Sequence, residues 1–184
     1  MTLFKLFLVA LVLSSIPMIF IAVRAYLRYR GTRLITCPET KRPAAVRVDK
    51  GHAAATTAAG EPELRLESCT RWPEREHCGQ ECISQIEAAP EACLVRNILV
   101  RWYDGASCAL CGQAIKIHWG DNKPALLTPD RKTIEWDEIR PEALPSLLAT
   151  HGRVCWSCQV ANTFHDRFPD RVTERKAHPE RRAS

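Results

Sequence analysis

The chain has 184 residues, 46% of them hydrophobic, with nine cysteines and 26 Lys and Arg against 21 Asp and Glu. That length holds one domain, or two small ones plus an anchor. Lys5, Arg24, Arg28 and Arg30 supply four of the five net positive charges, with no acid before Glu39. The remainder is therefore nearly neutral, which argues against a nucleic-acid-binding domain.

From Leu6 to Val23 there is no charged residue. That run predicts a membrane-spanning helix, and residues 1–30 are expected to form a transmembrane anchor. Tyr26 and Tyr29 fall where aromatic side chains favour the membrane boundary, and Pro17 is a kink that membrane helices tolerate. A cleaved signal peptide would have a shorter apolar run and a small-x-small site, which Ala22-Val23-Arg24-Ala25 does not supply. Leu34-Ile35-Thr36-Cys37 faintly suggests a lipobox, but Arg24, Arg28, Arg30 and Arg33 separate it from the apolar run. The same arginines outweigh Lys5, so the expectation is a single-pass protein with its soluble part in the cytoplasm. Thiols there stay reduced, which suits metal binding over disulfides.

Residues 31–103 are expected to form a first Cys-rich hairpin-plus-helix module. Val46-Arg47-Val48 and Leu64-Arg65-Leu66 alternate as strands, with 51–60 as a loose loop between them. Pairing of those strands brings Cys37 and Cys69 to one end. Pro73 to about Ala88 predicts a helix in which Cys78 and Cys82, four apart, share a face. Cys37, Cys69, Cys78 and Cys82 are thus a candidate second metal tetrad, with ordinary thiols or a disulfide as the alternative. Cys93 is left over, a small buried residue or a substitute for Cys37, and His77 is a competing ligand. Leu94 to Tyr103 predicts a buried strand ended by the turn dipeptide Asp104-Gly105.

Residues 104–170 carry the strongest motif, Cys108-Ala-Leu-Cys111-Gly112 followed, 43 residues after Cys111, by Cys155-Trp156-Ser157-Cys158. Four thiolates in two Cys-x-x-Cys pairs suit tetrahedral Zn²⁺, and Gly112 can take the positive φ that the turn needs. Iron is the alternative metal, because rubredoxin-type sites use the same donors. Two disulfides or four buried thiols are the bland alternative.

Between the pairs, Ile115–Trp119 alternates as a strand and Gly120-Asp121-Asn122 turns. Leu126-Leu127 and Thr133–Trp136 predict a hairpin around Pro129-Asp130. Glu142 to Ala149 predicts a short helix between Pro141 and Gly152. Ser157 is expected to cap a last helix through about Phe168, with both cysteines at its start. Over residues 105–168 the chain resembles zinc ribbons and treble-clef zinc modules, which pair a CxxCG knuckle with a second CxxC. The order of knuckle, hairpin and Cys-bearing helix is that of a treble clef. His118, His151 and His165 are expected as surface or supporting residues, and Trp119, Trp136 and Trp156 as core. Residues 171–184, with Arg175, Lys176, Arg181 and Arg182, are expected to be a disordered polar tail.

The fold class expected is α+β, a transmembrane helix followed by one or two small zinc-binding modules. No P-loop, nucleophile elbow or HExxH motif occurs, and no paired acid and base suggests an enzyme. The leading functional reading is a membrane-tethered structural zinc protein, with one or two Zn²⁺, acting as an interaction or assembly module for a protein partner. The alternatives are rubredoxin-like or thiol-based redox chemistry, or metal sensing and handling at a membrane.

Overall fold

The computed structural model describes residues 2–75, 77–117 and 125–171, leaving out the side chains of 2, 3, 6–12, 73, 75 and 170. The chain is α+β with two small three-stranded sheets. It divides into two compact units: residues 1–102 with 140–147, and residues 103–139 with 148–184.

The first unit opens with α1 (Thr2–Arg28), followed by β1 (Thr32–Thr36), β2 (Pro43–Val48), α2 (Lys50–Ala58) and β3 (Leu66–Cys69). The strands form an antiparallel sheet in the order β1-β2-β3, with Ile35 opposite Ala44 and Val46 opposite Cys69. One face buries Ile35, Ala44, Val46, Val48 and Leu66, and Ile86 closes over them. Short helices α3 (Trp72–Arg75) and α4 (Ile83–Ala88) follow, then α5 (Val95–Tyr103). Two glutamines act as edge-strand mimics. Gln85 exchanges hydrogen bonds with the backbone of Thr36 at 2.7 and 3.1 Å, and the Gln80 side chain accepts from Leu66 N at 2.9 Å. Together they strap the α3–α4 connection and α4 to the sheet.

Several expectations are corrected here. Among the described residues no helix is long and apolar enough to cross a membrane. The anchor over residues 1–30, the membrane as partner and the single-pass, cytoplasm-facing location are therefore withdrawn. The last turns of α1 instead belong to the globular unit: Ala25 is buried and the helix packs on α2, whose Ala53 and Ala54 are buried as well. Arg33, read as a charge flanking the anchor, is fully buried in β1.

The loop expected over 51–60 is largely helix α2, because alanine is the best helix former and Asp49 caps the first turn by accepting from His52 N at 2.9 Å. The strand expected over 94–103 is α5. Val95, Leu99 and Tyr103 are its buried stripe, spaced by four as a helix demands. The single helix over 73–88 is two helices, broken at Gly79-Gln80, where Gln80 takes φ 54°. Cys78 and Cys82 therefore share no helix face.

The second unit is built on β4 (Ala125–Leu127), β5 (Thr133–Glu135) and β6 (Gly152–Val154), antiparallel in the order β5-β4-β6. The hairpin expected around Pro129-Asp130 is present as β4 and β5. The residues of helix α6 (Leu144–Thr150) are divided between the two units, and α7 (Trp156–Arg167) ends the described fold with a turn at Pro169–Arg171. Tyr103 is buried and donates its hydroxyl to Ala125 O at 2.7 Å, fixing the central strand. Residues 115–117 are not strand. His118, Trp119, the 120–122 turn and the tail from residue 172 lie outside the described residues. Trp136 is half-buried, whereas Trp156, expected in the core, is exposed.

Candidate metal centre

Cys108 begins a tight turn closed by two backbone hydrogen bonds, Gly112 N to Cys108 O and Cys108 N to Gln113 O, both 2.8 Å. Gly112 takes φ +74°, which a residue with a Cβ resists, so the expected role of this glycine is realised. A bridge between Ser107 and Ala114 makes the turn the tip of a small hairpin. A third hydrogen bond, Ala109 N to Arg153 O at 2.8 Å, ties the tip to β6. Gly152 permits that approach: a Cβ there would lie 3.3 Å from Leu127 Cβ and 3.4 Å from Ala109 Cβ. In the sequence this glycine marks only the end of a helix, because the crowding exists only after the chain folds back.

The second pair sits at the start of α7. Cys155, not Ser157, is the N-cap residue, and Cys158 lies in the first turn. The Cys155 backbone amide donates to Cys108 Sγ at 3.4 Å. The Sγ atoms of Cys108, Cys111, Cys155 and Cys158 all lie within 4.8 Å of one another. Cys111 Sγ and Cys155 Sγ are 3.8 Å apart. Four sulfurs bonded at ~2.3 Å to one tetrahedral ion would be separated by roughly 3.8 Å, so the set fits a metal ion without rearrangement of its fold.

The thiols are electrostatically unequal. Burial pushes Cys108 up, but amide donors from Cys155, Cys111 and Leu110 win and bring it down to about 6. Burial pushes Cys158 well above the ordinary thiol range, and crowding by Cys111, Cys155 and Cys108 adds to this. Cys155 is raised for the same reasons. Four negative charges this close repel, so protons occupy part of the set unless a cation replaces them. The N-terminus of α7 adds a positive field at Cys155 and Cys158. His151 and His165 lie outside the cluster: His151 Nδ1 contacts Thr150 Oγ1 at 2.9 Å, and His165 stands exposed beside Asp166.

The other cysteines lie in the first unit. Cys37, Cys69, Cys78 and Cys82 line one cavity of about 30 Å³. Burial raises Cys82 to about 11, assisted by repulsion from Cys69, Cys78 and Cys37, and Cys69 is raised by burial and by Cys78 and Cys37. Their spacing is looser: among the described residues only the first set has its donor atoms mutually within 4.8 Å. Cys93 does not line this cavity, and its thiol donates to Pro90 O at 3.4 Å. His77 is exposed and lies outside the lining.

No family model, no curated protein and no solved structure matches the chain.

Proposed function

We propose that the second unit is a structural zinc module of treble-clef type, folded around one Zn²⁺ held by Cys108, Cys111, Cys155 and Cys158. The observation that carries this is the convergence of four sulfurs from a hairpin tip and a helix start to within 4.8 Å. Four thiolates fill a tetrahedral ion's coordination and leave no position for substrate, so the role is architectural rather than catalytic. Zinc would supply a doubly positive centre that offsets thiolate repulsion, together with cross-links that a small core cannot provide. Such binding is worth on the order of 10 kcal/mol, which becomes folding free energy.

An interaction role is supported by α7. Trp156, Val160 and Phe164 recur every four residues along it, Phe168 follows, and all four are exposed. Polar surface would serve a unit that contacts nothing; a stripe of this kind suits a protein surface of matching apolar character.

Metal analysis of the full chain tests the reading. Zinc should be found in the colourless protein, and Cys108→Ser should release one equivalent. A red, iron-loaded protein would overturn zinc in favour of a rubredoxin-like centre, and undiminished metal in Cys108→Ser would overturn the site.

A further inference from the structure

We propose that Cys37, Cys69, Cys78 and Cys82 form a second four-thiolate site, in the first unit, for the same kind of soft divalent ion. The first support is a backbone likeness that the sequence does not display. Lys41 N donates to Cys37 O at 2.8 Å and Cys37 N donates to Arg42 O at 2.9 Å. These are the same two bonds, at the same offsets, that close the Cys108 turn. The residue four positions on has positive φ in both turns, +74° at Gly112 and +55° at Lys41. Both turns sit at hairpin tips, here between β1 and β2.

Thr40 stands where Cys111 stands, which is why no Cys-x-x-Cys marks this turn in the sequence. Holding a lysine at positive φ costs about 1 kcal/mol, so the turn is maintained against a local penalty.

The second support is convergence. Cys69 leaves β3 opposite Val46 and accepts from Arg71 N at 3.4 Å, an amide two residues on. Cys78 and Cys82 lie on the segment that Gln80 and Gln85 strap to the sheet. All four meet at one cavity of about 30 Å³, enough for a single ion or water. The sulfurs are more widely spaced than those of the first set, so binding must draw them inward.

Zinc titration of the reduced full chain, read by native mass spectrometry, tests this independently of the first site. The wild type should bind two equivalents, and Cys78→Ser one, with the Co²⁺ thiolate charge-transfer band of the first site retained. Cys93→Ser, the control thiol outside the cavity, should keep two. Where Cys78→Ser folds poorly, Thr40→Cys added to it should restore the second equivalent by completing a Cys-x-x-Cys knuckle, which a purely structural role for Cys78 would not do. A wild type holding one equivalent, or an undiminished count in Cys78→Ser, overturns the second site and leaves the first standing. Loss of metal in Cys108→Ser bears on the first site alone.

Discussion

Arg33 is the residue whose structural role departs furthest from its appearance in the sequence. Its guanidinium donates to Arg28 O at 2.6 Å, Tyr29 O at 2.9 Å and Gly31 O at 3.3 Å, capping the last residue of α1 and the turn that leads into β1. It also lies over the Tyr29 ring. Burial lowers its pKa, and the nearby Cys93 and Glu91 oppose that shift. Arg33→Ala should destabilise the first unit by about 2–3 kcal/mol, because three part-buried carbonyls lose a charged donor at once. Arg33→Lys should not rescue it, since an ammonium cannot fork between them. Denaturant midpoints measure this, and an unchanged midpoint for Arg33→Ala would show that water replaces the guanidinium without loss. One residue in a basic run reads as flank, and only the sheet around it makes it a cap.

At the scale of elements, capping and side-chain spacing decide what local composition leaves open. Asp49 caps α2 and also pairs with Arg65, the two carboxylate contacts from Arg65 being 2.7 and 2.9 Å. The His52 amide first, then Arg65, hold the Asp49 carboxyl below its ordinary value of 3.8. A depressed carboxyl stabilises the fold above its unfolded pKa, and that contribution is lost as pH falls through the lower folded value. Asp49→Asn should therefore flatten the acid limb of the stability–pH profile while keeping the cap. Parallel acid denaturation of the two proteins is the measurement, with identical limbs as the contrary result. Neither α2 nor α5 is ambiguous once its cap or buried stripe is seen. Leu94–Tyr103 is dense in β-formers such as Val95, Ile98 and Val100, yet Val95, Leu99 and Tyr103 are the positions that the core accepts.

At the scale of the molecule, the two units should respond separately to loss of the Cys108 thiol. In Cys108→Ser, amide hydrogen exchange should lose protection over β4–β6 and α7 and retain it over β1–β3. Loss over both sets at once would mean that the units unfold as one. The sequence by itself determined the four-cysteine centre, because two-residue spacing within each pair and the following Gly112 are local requirements of metal-binding turns. It also determined the β4–β5 hairpin, whose Pro129-Asp130 turn is local chemistry. It misjudged α1 as a span: hydropathy along a run does not register that α1 packs on α2 and buries Ala25. Tertiary structure alone decided that the Cys37 turn closes with the same backbone hydrogen bonds as the Cys108 turn, and that Cys78 and Cys82 line one cavity with Cys37. Those relations depend on backbone hydrogen bonds and on strands meeting across the sheet, which are non-local and leave no periodic mark on the residues that make them.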